Sequence, residues 1–183
     1  MSTISLGALR FCFDDNWRAS KYDEWSFYRR RFMQIRNGVK AIDLLAVAPD
    51  RTTWFIEVKD YRQSRRTKPI DLADEVAQKV FDTLAALLPA RVNGDVVEET
   101  SFAKQALDGC KLRVVLHLEQ PATHSRLFPR AIDPANVLMK LRQLVKAIDP
   151  PSVPTSLETV PPRYLCTDGR RMVPETCRSH PKF

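Results

Sequence analysis

The sequence predicts an α/β fold, with a mixed central sheet flanked by helices, an extra helix near the C-terminal end and an extended tail. Three observations carry this. Residues 41–48, 53–58 and 111–119 are apolar runs of strand length, rich in β-branched or aromatic side chains. Residues 70–88 and 133–148 place apolar side chains at the three- and four-residue spacing of helices. Pro49-Asp50-Arg51-Thr52 has the chemistry of a tight turn and joins the first two runs.

Taken in order, residues 4–13 alternate weakly and read as an extra edge strand, broken by Asp14-Asp15-Asn16. Over residues 20–31, Tyr22, Trp25 and Tyr28, with Phe32 at the boundary, form one aromatic stripe of a helix that Ser20 and Asp23 or Glu24 would start. Residues 32–36 then read as a strand. Asn37-Gly38 follows, and both residues tolerate the positive φ of a type I′ hairpin turn. The expected order is helix, strand, strand, strand.

Pro69 suits the first turn of the next helix, which carries Leu72, Val76, Phe81 or Val80, Leu84 and Leu87 or Leu88 inward and ends at Pro89. Residues 91–99 read as a loop and 100–107 as a short helix closed by Asp108-Gly109. The strand over 111–119 is expected to be the last of the core, with His117 a satisfied core residue. After a proline-bearing loop over 120–132, Asp133 reads as an N-cap and Pro134 as N1 of the helix to residue 148.

From residue 149 the composition turns proline-rich. This sets a boundary between a domain over 1–149 and a linker and tail over 150–183. Cys166, Cys177 and His180 are three potential zinc ligands in that tail, one short of a structural site. The tail is therefore expected to be extended and used for contacts.

The chain has 183 residues, 44% hydrophobic and 28% charged, enough for a real core. No run reaches the ~20 apolar residues of a membrane span. The first residues lack the basic region and apolar block of a secretory signal. The four cysteines are scattered, so the expectation is a cytoplasmic protein without disulfides or a membrane partner. Only five glycines are present, too few for a phosphate-binding glycine loop.

Charge stands where plain core strands should have none: Asp43 in one run, Glu57 and Lys59 in the next. Alternation puts Glu57 and Lys59 on one face of their strand, and a hairpin would bring Asp43 beside Glu57. Two carboxylates and the Val58 carbonyl are hard oxygen ligands of the kind Mg²⁺ or Mn²⁺ takes. Lys59 would then orient a water or offset charge developing on a phosphate.

Net charge is +7, which is compatible with a polyanionic partner. Arg18, Lys21, Arg29, Arg30, Arg31 and Arg36 precede the acids, and Arg62, Arg65, Arg66 and Lys68 follow Lys59. Basic groups on both sides of an acid pair suit a groove that tracks a phosphate backbone. Arg30, Arg62, Arg65, Arg66 and Lys68 are the candidates for nucleic-acid contact.

Asp43, thirteen residues, then Glu57-Val58-Lys59 resembles the D…ExK signature of the PD-(D/E)xK nuclease superfamily, the restriction-endonuclease-like fold. The order helix, strand, Asp-bearing strand, ExK strand is similar to the first four elements of its αβββαβ core. The resemblance implies a Mg²⁺-dependent endodeoxyribonuclease that hydrolyses phosphodiester bonds in DNA, with Asp43, Glu57 and Val58 on the metal. It implies an acid from the first helix, Glu24 before Asp23, and a polar residue from the second helix, Gln78. It also implies a homodimer or a subunit of a larger machine, with phage defence or mobile-element biology first among the processes. The alternative is a non-catalytic subunit of such a complex, binding nucleic acid or another protein.

Overall fold

The structure, a computed structural model, describes residues 1–64, 66–121, 132–150, 165–167 and 170–171. The chain divides into two compact units: Met1–Asp15 with Ser152–Phe183, and Asn16–Pro151. Residues 4–13, expected as one strand, are two. β1 (Ser2–Leu6) turns at Gly7 into the antiparallel β2 (Leu9–Phe13). Gly7 has φ +58, the left-handed region where a Cβ is penalised, and the glycine permits the turn.

In the larger unit, β3 (Arg18–Lys21), β4 (Leu44–Val47), β5 (Thr52–Asp60) and β6 (Lys111–Glu119) form one sheet in sequence order. β3, β4 and β5 pair antiparallel and β5 with β6 parallel, so the sheet is mixed. Arg51, at φ +62, makes the bend between β4 and β5. The parallel step needs a crossover, supplied by α2 (Leu72–Asn93) and α3 (Val97–Leu107).

Helices flank this sheet. Phe55 of β5 packs with Val80, Ala86 and Leu87 of α2 and with Phe102 of α3. Leu72, Val76 and Ala77 of α2 meet Leu141 of α4 (Pro134–Leu144) and Leu116 and Leu118 of β6. Asp133 caps α4, accepting from the Ala135 amide at 3.0 Å, as the sequence suggests, but the helix stops at Leu144 rather than 148.

Other expectations fail where tertiary contacts override the local signal. The helix expected over 20–31 shrinks to a 3₁₀ turn (Tyr22–Glu24) and α1 (Ser26–Arg30), because residues 18–21 are drawn into pairing with β4. Residues 32–36 are not a strand; Phe32–Gln34 is a 3₁₀ turn. Residues 39–43 are not strand either, since the amides of Lys40 and Ile42 donate to Asp82 and Thr83 side chains on α2 (3.0 and 3.2 Å). Pro89 does not end α2; buried Ala86, Leu87 and Ala90 hold the helix straight through it to Asn93.

α2 begins at Leu72 with Asp71 as its cap, so Pro69 lies ahead of the helix. α3 starts at Val97, inside the expected loop, and its Glu99 accepts the amides of Ser26 and Phe27 at the start of α1 (2.7 and 3.0 Å). The tail contributes β7 (Leu165–Thr167), antiparallel to β2, and β8 (Arg170–Arg171), antiparallel to β7. Cys166 falls in β7, and Cys177 and His180 lie outside the described residues. No described helix is long and apolar enough to cross a membrane.

Candidate functional site: an acid–lysine crease

Strand alternation on β5 aims Phe55, Glu57 and Lys59 at α2. Phe55 ends in the core, but Glu57 is a carboxylate in that same wall, with no exposed surface. An ion there needs partners. Lys59 Nζ stands 2.6 Å from Glu57 Oε1, and Lys79 Nζ of α2 stands 2.5 Å from the same oxygen.

Asp43 sits one residue before β4. Its Oδ2 accepts the Val58 amide at 2.7 Å, and its Oδ1 lies 3.5 Å from Lys79 Nζ. So the expected convergence of Asp43, Glu57 and Lys59 is present, and Lys79 completes it. Val58 enters through its amide, which Asp43 holds.

Lys79 was not among the expected site residues, although one signal pointed to it. It lies four residues after Glu75, and both fall among the buried positions 72, 76, 80 and 83 that face the sheet. Gln78, the expected contributor, points elsewhere: its Nε2 donates to Asp82 at 2.9 Å. Asp82 is 6% exposed and also accepts from Arg36 and the Lys40 amide, a hub that ties the 36–42 segment to α2.

Glu24, the expected helical acid, is exposed and pairs with Lys21 at 3.4 Å. Its neighbour Asp23 is the acid at the crease. Burial, then the Asp43 carboxylate, raises the pKa of Asp23, and its Oδ1 is buried without a hydrogen bond. Glu57 is raised too, by burial first and then by Asp43, with Lys79 and Lys59 acting the other way. Burial works against the Lys59 ammonium, but Glu57 and Glu75 outweigh it and its pKa rises.

A second buried acid adjoins the first. Glu75 of α2, with no exposed surface, holds Lys68 at 2.6 Å, Arg66 at 2.7 Å and Lys59 at 3.6 Å. Burial would raise its pKa, but these cations bring it down to about 2.

The basic residues expected on nucleic acid therefore divide. Arg66, 10% exposed, is turned inward onto Glu75 and the Tyr61 hydroxyl, which corrects its assignment as a backbone contact. Lys68 is 57% exposed and Arg30 is exposed on α1. Arg62 forms a two-pronged pair with Asp60 at 2.9 and 2.7 Å. Arg65 lies outside the described residues. His117 pairs with Glu119 at 3.0 Å, away from the crease, because its register partner Val58 faces opposite to Glu57.

The acids of the crease are hard oxygen donors, but they are already held by cations of the chain. Asp43 and Glu57 are carboxylates, and Glu57 Oε2 is buried and accepts no hydrogen bond. Among the described residues, no group of three acids, imidazoles or thiols is spaced to hold a metal as it stands. Between the two acids lies an ammonium, that of Lys79.

Comparison with known proteins gives one informative result. The chain is 31% identical, over 179 aligned positions, to a cysteine–tRNA ligase of Neisseria meningitidis serogroup A / serotype 4A (strain DSM 15465 / Z2491). The match covers 80% of this chain and 26% of the ligase, so the chain spans about a quarter of that relative. No family model matches, and no solved structure matches. The similarity overturns the DNA nuclease expected from the D…ExK pattern, and with it the hydrolase and phage-defence assignments. The relative acts on tRNA as a ligase, and three charged residues at a strand end are a weaker signal than identity spread along most of a chain.

Proposed function

We propose that the chain is a tRNA-directed module that serves tRNA charging, the counterpart of one part of a cysteine–tRNA ligase. The observation that carries this is the 31% identity over most of the chain. Because it corresponds to about a quarter of the ligase, its share of the enzymatic work is taken to be holding and orienting tRNA. In that role it would act in the cytoplasm.

Physical features agree with an RNA partner. The net charge is +7, and exposed Lys68 and Arg30 and part-exposed Arg62 supply cations that a phosphate backbone attracts whatever its sequence. Asp43 and Glu57 would hold Mg²⁺ or Mn²⁺, a charge that hard phosphate oxygens accept. The finer description of the scaffold as a restriction-endonuclease-like core belongs to the same reading. It rests on the strand order and the Asp43–Glu57–Lys59 placement, and it brings no hydrolytic activity with it.

The test is retention of tRNA transcript by the full chain, against duplex DNA of equal charge, between about 50 and 200 mM salt. The expected result is tighter retention of tRNA, with log affinity falling linearly against log salt. Failure to retain tRNA at the lowest salt, or tighter binding of the duplex, overturns the reading.

A further inference from the structure

The outer face of α2 is apolar and bare. From Val80 to Val92 the helix has three polar side chains, Asp82, Thr83 and Arg91. Val80, Ala86, Leu87 and Ala90 face the core. Turned away from it are Phe81, Ala85, Leu88 and Val92, spaced four, three and four residues apart, the spacing of a helix–helix seam. All four are exposed, Leu88 at 59% and Val92 at 68%. A helix that is apolar all round is ordinarily covered on every side.

A second strip widens the patch. Arg31 donates to the Asn93 carbonyl at 2.5 Å and Arg36 to Asp82 at 3.1 Å, so residues 31–36 run antiparallel along α2. Asp82 and Asn93, three turns apart, lie on one flank of the helix. Met33 and Ile35 of this strip are 45% and 67% exposed. The five large side chains present on the order of 500 Å² of apolar surface, the size of patch that marks an interaction site. With its polar rim the face approaches about 800 Å² per partner, the standard size of a protein interface.

We propose that this face joins two copies of the chain, α2 against α2, antiparallel about a two-fold axis. The seam reads the same in both directions from a point between Ala86 and Leu87. Antiparallel copies centred there place Leu88 opposite the small Ala85 of the other copy, and Phe81 opposite its Val92. Parallel copies would set Phe81 on Phe81 and Ala85 on Ala85. The two-fold axis also brings like flanks together. On that flank Arg36, 60% exposed, stands beside position 82, and Asp95, 74% exposed, stands just beyond Asn93. Each Arg36 therefore faces the Asp95 of the other copy, once at either end of the seam, and this complementarity selects a second copy as the occupant. The proposal goes beyond tRNA recognition and is tested without RNA, so either can fail alone.

The experiment is sedimentation equilibrium of the full chain over a concentration series. The expected result is a monomer–dimer equilibrium, with the mass rising toward twice 21.0 kDa. Leu88→Glu should weaken it by about thirtyfold or more, the loss expected at a central anchor. The circular-dichroism spectrum of that variant should match wild type, because the side chain is exposed. In Phe81→Cys/Val92→Cys, mild oxidation should link two copies, and peptide mapping should find 81 joined to 92. Within one helix these positions are about 16 Å apart, too far to bridge. A chain that stays monomeric throughout the series, or a dimer indifferent to Leu88→Glu, overturns the proposal. So do links of 81 to 81, or no link where the cysteine variant is dimeric. A monomer that instead sediments with anionic lipid vesicles, and loses this in Leu88→Glu, overturns it in favour of a membrane surface.

Discussion

Glu57 and Glu75 are two glutamates of equal burial, facing each other across one layer, and they are shifted in opposite directions. Neither has exposed surface, yet the carboxyl of Glu57 is pushed above the ordinary value and that of Glu75 is held at about 2. Burial opposes the charged form of both, and the neighbours give the shifts their opposite signs. Glu75 gathers Lys59, Arg66 and Lys68 and has more positive charge than it needs. Glu57 has two lysines but must share the space with Asp43, and one of its oxygens is unpartnered. An over-neutralised acid acts as a rivet for the Arg66–Lys68 loop. An under-neutralised one is left with a bare, buried oxygen.

The largest effect should come from breaking the rivet. Glu75→Gln leaves buried Arg66 and Lys59 short of their anion, and removal of one partner from such a cluster costs about 3 kcal/mol. Denaturant unfolding at neutral pH checks it. Glu57→Gln, measured the same way in chelator, should cost about 1 kcal/mol or less, because it also removes the Glu57–Asp43 repulsion. Equal losses for the two variants would erase the distinction between the two acids.

Acid titration sharpens it with opposite signs. Glu75 has its folded pKa lowered from 4.5 to about 2, so its contribution is full above about pH 4.5 and is lost as pH falls toward 2. Glu57 has its folded pKa raised above 4.5, so the folded state keeps its proton longer and stability falls as pH rises through that window. Compared with wild type, Glu75→Gln should lose less stability on acidification below pH 4.5. Glu57→Gln should lose less on raising pH above it. Both are read from midpoints of urea unfolding across pH.

How much of this was legible in sequence depends on which contacts are local. The turn at 49–52 and the strand over 111–119 are written in short-range chemistry, and both are where the sequence puts them. So is the acid pair with Lys59, because alternation on a strand is fixed by the backbone. The hairpin at Asn37-Gly38 failed because α2, distant in sequence, offers Asp82 and Thr83 to amides that would otherwise seek a strand. Gly38 does adopt φ +83, so the turn residue was read correctly and its partner was not. Choosing Glu24 over Asp23, and Gln78 over Lys79, missed by one residue each. Neither a 3₁₀ turn nor the rotation of a helix on a sheet can be read to better than that from periodicity.

Two neighbours on α2 give a smaller test. Asp82→Asn should cost about 1–3 kcal/mol, since it weakens the tie to Arg36, the Lys40 amide and Gln78 at once. Gln78→Ala removes only one of those bonds and should cost about 1 kcal/mol or less. Mn²⁺ affinity should be unchanged in Gln78→Ala, since its amide serves the Asp82 hub and not the crease. A loss of Mn²⁺ binding in that variant would merge the two regions into one.

The smallest effect on stability should come from Arg62. Its pair with Asp60 has good two-pronged geometry, but both side chains are about 30% exposed (30% and 31%), where water and salt screen the attraction. The Asp60 carboxyl is held low chiefly by its hydrogen bond from Arg62, so Arg62→Ala should bring that pKa back up while changing unfolding free energy by about 1 kcal/mol or less. Its value lies in the contrast with Arg66. Four residues apart on one loop, Arg62 is 30% exposed on Asp60 and Arg66 10% exposed on Glu75, so of these two arginines Arg62 is the better placed to meet a phosphate. Arg62→Ala should lower the salt slope of tRNA retention by about one, with Tm nearly unchanged. Arg66→Ala should do the reverse, lowering Tm by several degrees with the slope intact. A slope change confined to Arg66→Ala would mean that the rivet opens to admit RNA.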